Sequence, residues 1–255
     1  MTRPDASRTP LLVETRDDRV VATLNRPERR TAIDRAMIDA LHDLCDELER
    51  TPRTLILTGA GGSFAGGADI AELRDRGAAE ALEGINSRAF TRIRALPMPV
   101  IAAVDGYALG GGAELAYAAD LRIATAAARF GNPETGLGII AAAGATWRLR
   151  ELVGEPLALE LLLTGRIIDG AEAYTAGLVA ELHPSDKLLP AAHAIADRIA
   201  RNDRAATIAT KRAFLAPPAA HPRLDLELQA PLFESPEKHR RMTEFLERRE
   251  RRGAS

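Results

Sequence analysis

Only one cysteine occurs in 255 residues, Cys45, and it falls in an amphipathic helical pattern. That count excludes a disulfide within the chain and any cysteine-built zinc site. The five histidines, His42, His183, His193, His221 and His239, are scattered without metal-ligand spacing, so no metal is expected. A surplus of charge is missing too. Lys and Arg number 34 against 36 Asp and Glu, a net charge of -2, which gives no general attraction to nucleic acid or to an anionic membrane. No uncharged apolar run is long enough to cross a bilayer. The N-terminal MTRPDASRTP carries Asp5 and no apolar stretch of the signal-peptide kind. A cytoplasmic protein is the expectation.

Phosphate fingerprints are absent or incomplete. The stretch T58GAGGSFAGGAD69 lacks the Gly-Lys-Ser/Thr end of a P-loop, and Phe64 stands where a dinucleotide motif needs its third glycine. Gly136, Gly138 and Ala141 match the looser G-x-G-x-x-A form, but they follow Pro133-Glu134 instead of a clear strand. A nicotinamide-dependent enzyme would rest on those three residues alone.

What is present is core material: 46% of residues are hydrophobic and 27% charged. Short β-branched or apolar runs predict strands over Val20 to Leu24, Leu55 to Thr58, Val100 to Val104 and Leu121 to Ala124. Ile33, Met37, Leu41, Leu44 and Leu48 recur at helical steps between the first two. A second helical segment is expected over 69–95, a third after Gly112, and others after Pro133 and Pro156. This alternation predicts an α/β core with parallel neighbouring strands. From Ala191 the strand signals stop and a helical tail begins, broken at Pro217-Pro218, Pro231 and Pro236. The expected division is therefore a core over 1–190 and a helical appendage over 191–255. Met242, Phe245 and Leu246 form a narrow apolar stripe in the last segment, enough to dock on a partner surface. The arginines around them read as a solvated face or as a basic arm for RNA.

Two glycine-rich loops draw the chemistry. One ends at Ala68-Asp69 and the other at Gly110-Gly111-Gly112, each just before an expected helix, where amides have no internal partner and the dipole is positive. Two such amides converging on one point would form an oxyanion hole. Glu114 follows the second loop and Glu134 follows Pro133. Two carboxylates facing one cavity suit general acid/base work. The plainer reading is a tight turn with a glutamate favoured by the helix dipole, and 20 residues of spacing leaves both open.

The quoted segments resemble the enoyl-CoA hydratase/isomerase, or crotonase, family. The pieces are L24NRPE28, S63FAGGADI70, P99VIAAVDGYALGGGAEL115, F130GNPE134, L162LTGRII168, E172AYTAGLV179 and F245LERR249, in family order across nearly the whole chain. The resemblance implies an α/β crotonase-like spiral of repeated β-β-α units with a C-terminal helical trimerisation region, a homotrimer or dimer of trimers. It implies an acyl-CoA thioester substrate, with no cofactor beyond the coenzyme A that the substrate carries, and no nucleic-acid or membrane partner. Carried over by position, the amides of Ala68 and Gly111 would grip the thioester oxygen. Glu134 would serve the proton at the alpha carbon, and Glu114 would hold and activate water. Arg30, Ala32, Asp69, Ile70, Ala71, Gly110 and Ala142 would join Ala68 and Gly111 in lining the substrate route. Hydration of a 2-enoyl-CoA is the leading expectation. Double-bond isomerisation or decarboxylation on the same fold, and a non-catalytic acyl-CoA- or RNA-binding protein, are the alternatives. The chain departs from the usual pattern at Thr31, Ala141, Ala142, Ala145 and Trp147, where the added methyl of Ala142 is expected to narrow the space beside the glutamates.

Overall fold

The computed structural model describes residues 9–253. Most of the N-terminal MTRPDASRTP segment lies outside the described residues. In chain order the strands are β1 (Leu11–Thr15), β2 (Arg19–Leu24), β3 (Thr54–Gly59), β4 (Val100–Val104), β5 (Tyr107–Leu109), β6 (Leu121–Ala124), β7 (Arg129–Gly131), β8 (Ile168–Asp169) and β9 (Glu181–Leu182). Six form one sheet in the order β1-β2-β3-β4-β6-β9, antiparallel between β1 and β2 and parallel elsewhere. β5, β7 and β8 form a second, smaller sheet. All of β4 is buried, as its unbroken VIAAV run requires of a parallel strand covered on both faces.

The helices of this part are α1 (Arg35–Arg50), α2 (Ile70–Asp75), α3 (Ala78–Glu83), α4 (Ile85–Ala95), α5 (Gly111–Ala118), α6 (Ala145–Val153), α7 (Glu155–Thr164), α8 (Gly170–Thr175) and α9 (Ser185–Ala200). Asp34 caps α1 by accepting the Met37 amide at 2.9 Å. Met37, Ile38, Leu41, Leu44, Cys45 and Leu48 supply its buried face, whereas Ile33 precedes the helix in a bridge to Ala68. Burial pushes the Cys45 thiol up to about 12, so it packs as a small apolar residue.

Three expectations are corrected. The helix expected over 69–95 is three helices, because Arg76 and Gly77 are extended and Gly84 turns left-handed at φ 62. The segment after Pro133 is a 3-10 turn, Pro133–Leu137, and builds no strand-turn-helix unit around Gly136 and Gly138. Pro231 does not break its helix but sits near the end of one. That helix belongs to the second compact unit, which starts at Arg198 where the first ends at Asp197. The second unit holds α10 (Arg204–Phe214), α11 (Arg223–Phe233) and α12 (Pro236–Gly253). It leaves Phe214, Leu226, Phe233, Met242, Phe245 and Leu246 exposed. Along α12, Arg240 pairs with Glu237 and Glu244, and Arg241 with Glu237.

Candidate active site

Three segments are stitched together ahead of the site. Phe64 donates to the Asp105 carbonyl, Ala65 to that of Tyr107, and Leu109 back to Ala65, at 2.8, 2.8 and 3.0 Å. Ile33 donates to Gly67 and Asp69 to Ile33, at 2.8 and 2.9 Å. This last pair of bonds passes over the Ala68 N–H, which has no acceptor among the described residues. Gly111, the first residue of α5, likewise has no carbonyl within its own helix to receive its N–H.

Two glycines make the approach possible. Gly110 sits at φ 51, and a Cβ there would stand 3.1 Å from Glu134 Oε1. A Cβ at Gly112 would lie 2.1 Å from the Ala65 carbonyl oxygen, so α5 can start here only without a side chain. Every residue of α5 is buried, Glu114 included.

Ala68, Gly111, Glu114 and Glu134 line one cavity of about 510 Å³, together with Asn86, Ile139, Ile140 and Ala142. Glu114 Oε1 accepts from the amides of Ala143 at 2.7 Å and Ala145 at 3.1 Å, which fixes the carboxyl. Glu134 is held loosely: Asn132 Nδ2 is 3.5 Å from Oε1, and Oε2 is buried without a partner. Burial pushes Glu114 up to about 7, the charge of Glu134 adding to it while the Ala145 and Ala143 amides oppose it. Burial also raises Glu134, against the Asn132 contact. Both carboxyls therefore hold a proton more readily than an exposed glutamate does.

Arg30, Ala32, Asp69, Ile70, Ala71 and Gly110 are not among those lining the cavity. Asp69 caps α2 by accepting the Ala71 amide at 3.1 Å and pairs with Arg26 and Arg29. The Arg30 guanidinium stands over the Tyr107 ring at 5.4 Å, and its backbone, like that of Thr31, is left-handed (φ 51 and 55). The Ala32 carbonyl accepts from Arg26, and Ile70 is exposed. Gly110 binds the Gly131 carbonyl through its N–H. The amides of Ala143 and Ala145, and the side chains of Asn86 and Asn132, escaped the sequence reading. Nothing in the spacing of residues 143 and 145 from Glu114 points to them, whereas Asn132 was in plain sight two residues before Glu134.

A largely parallel α/β frame thus brings the residues of two helix-start amides and two buried carboxyls to the lining of one pocket. Residues 16–252 match the profile of enoyl-CoA hydratase/isomerase, and the chain belongs to that family. It is 40% identical over 195 residues to a probable enoyl-CoA hydratase of Mycobacterium leprae, covering 76% of each chain. It is 39% identical over 208 residues to a crotonyl-CoA hydratase of Syntrophomonas wolfei, covering 80% of each. The crystal structure of an enoyl-CoA hydratase from Bacillus anthracis superposes with a TM-score of 0.89 at 31% identity, covering 94% of this chain and 96% of that one.

Proposed function

We propose that this protein is an enoyl-CoA hydratase that adds water reversibly to a 2-trans-enoyl-CoA, giving the 3-hydroxyacyl-CoA. The observation that carries this reading is the pair of buried glutamates sharing one cavity with two unpaired backbone amides. The thioester oxygen is taken between the N–H groups of Ala68 and Gly111, where charge develops as the enolate forms. Glu114, its charge favoured by two amides on Oε1, holds water and accepts a proton as the water oxygen bonds to C3. The C2–C3 π electrons move toward the thioester, and C2 then takes a proton from the Glu134 carboxyl. Exchange with solvent returns the pair to its starting state. No metal or separate cofactor is called for, since coenzyme A arrives with the substrate and the thioester itself acidifies C2.

Single-base isomerisation has less need of two carboxyls, so hydration is the better fit. The arginines of α12 are offset by glutamates on the same helix, which weighs against a nucleic-acid role. We assign the helical region after residue 190 to assembly as a homotrimer or dimer of trimers, supported by its exposed apolar side chains. The cytoplasm is the compartment that suits the reading, and no helix among the described residues is long and apolar enough to cross a membrane.

The test is an enoyl-CoA panel from crotonyl-CoA upward, followed by loss of the conjugated absorbance and by product identification. Hydration at one or more chain lengths is the expected result. A panel with no 3-hydroxy product at any length, or one giving only a shifted double bond, overturns the assignment.

A further inference from the structure

Asn86 stands in the first turn of α4 and lines the same cavity as the two glutamates. Its Oδ1 is buried with no hydrogen-bond partner. Its Nδ2 lies 3.3 Å from the point where a Cβ on Gly111 would be, and the Ala68 nitrogen lies 3.6 Å from that same point. Three N–H donors, those of Ala68, Gly111 and the Asn86 carboxamide, therefore border one small volume beside Gly111.

Donors gathered around an unfilled point repel one another, and an acceptor with negative charge relieves that repulsion. Asn86 therefore keeps a buried carboxamide oxygen unpaired at the lining of the cavity, which is destabilising by itself and is the kind of polar group a ligand-binding role retains.

We infer that Asn86 is a catalytic residue, its carboxamide N–H serving as a third donor to the thioester oxygen that strengthens as the enolate forms. The inference rests on the hydratase reading above. It differs from the two-amide hole in placing part of the polarising power on a replaceable side chain.

The experiment compares Asn86→Ala and Asn86→Asp with the unaltered chain. It measures hydration kinetics on crotonyl-CoA and the absorbance of bound para-dimethylaminocinnamoyl-CoA, whose red shift reports polarisation of the thioester. Asn86→Ala is expected to lower kcat about 10- to 100-fold, below the loss for a backbone donor, with KM little changed and the red shift reduced. Asn86→Asp keeps the shape but turns a carboxylate toward the enolate, so it is expected to be slower than Asn86→Ala. Both variants within twofold of the unaltered enzyme, an aspartate variant as active as the parent, or an unchanged red shift overturns the inference. Melting temperatures establish that each variant folds. If Asn86→Ala does not fold, the aspartate comparison decides alone. A parent that hydrates no enoyl-CoA refutes the hydratase reading instead, and its red shift against that of Asn86→Asp still decides whether the side chain polarises the carbonyl.

Discussion

The inner wall of the cavity and its rim are built on different terms. On the inner side α5 is buried along its whole length, and its glutamate is tied to the amides of Ala143 and Ala145 at the entry to α6. At the rim Ile139 and Ile140 leave large apolar side chains to solvent, Ile140 with 68% of its surface exposed. The inner wall has no freedom to change without losing the reaction geometry. The rim leaves apolar surface exposed and places few constraints on which residue supplies it. On the proposed reading, chemistry and selectivity fall to opposite sides of one pocket.

That contrast can be broken most forcefully at the carboxyls. Glu114→Gln and Glu134→Gln are each expected to lower kcat by roughly 10²- to 10⁴-fold while KM moves little. A variant with full turnover would remove its glutamate from the reaction. Next in size is Gly112→Ala, whose new carbon would meet the Ala65 carbonyl oxygen at 2.1 Å. A loss of roughly 1–3 kcal/mol or more is expected, read as a lowered melting temperature, with weakened turnover as the Gly111 amide shifts. An unchanged melting curve would show that α5 is not seated as tightly as the contact implies.

A subtler test uses Glu114 as a stability probe. Its carboxyl rises from an ordinary 4.5 to about 7 in the folded chain, so the folded state holds the extra proton between those values. Stability should therefore fall as pH rises from about 4.5 to 7 and then level off. Glu114→Gln keeps the acceptor for Ala143 and Ala145 and removes that ionisation. The variant should match the parent near pH 4.5 and exceed it above pH 7, by up to ~3 kcal/mol, because each tenfold gain in proton affinity on folding is worth about 1.4 kcal/mol. Denaturant melts at the two pH values measure it, and parallel curves would contradict the burial. The smallest effect belongs to the rim. Ile140→Ala should raise KM for longer acyl chains a few-fold, with kcat for crotonyl-CoA held. A fall in kcat instead would place the rim within the chemistry.

Sequence legibility followed chain distance. β4 was readable because five apolar residues between prolines and a glycine turn leave few other structures for them. Glu114 and Glu134 stand out because each follows a segment whose conformation glycine or proline restricts, but their spacing leaves open whether they meet, and only the family resemblance pairs them. What holds Glu114 was not readable, since the Ala143 and Ala145 amides are 29 and 31 residues away and alanine advertises no donor. β5, β7 and β8, of two or three residues each, carry too short a pattern to display an alternation. Asn86 lay inside a span read as one long helix, and only the left-handed turn at Gly84 starts α4 where its carboxamide reaches the cavity.

The ladder joining residues 64–65 to 105–109 has a consequence for how such an enzyme can diverge. The two N–H groups proposed to receive the carbonyl follow directly on the two strands of this ladder, so displacing one strand is expected to carry the other along. Inheritance can keep or discard the polarising clamp as a whole but has little means of adjusting half of it. New acyl preferences are then expected to accumulate in side chains around the opening, leaving the braid as the part that descendants share.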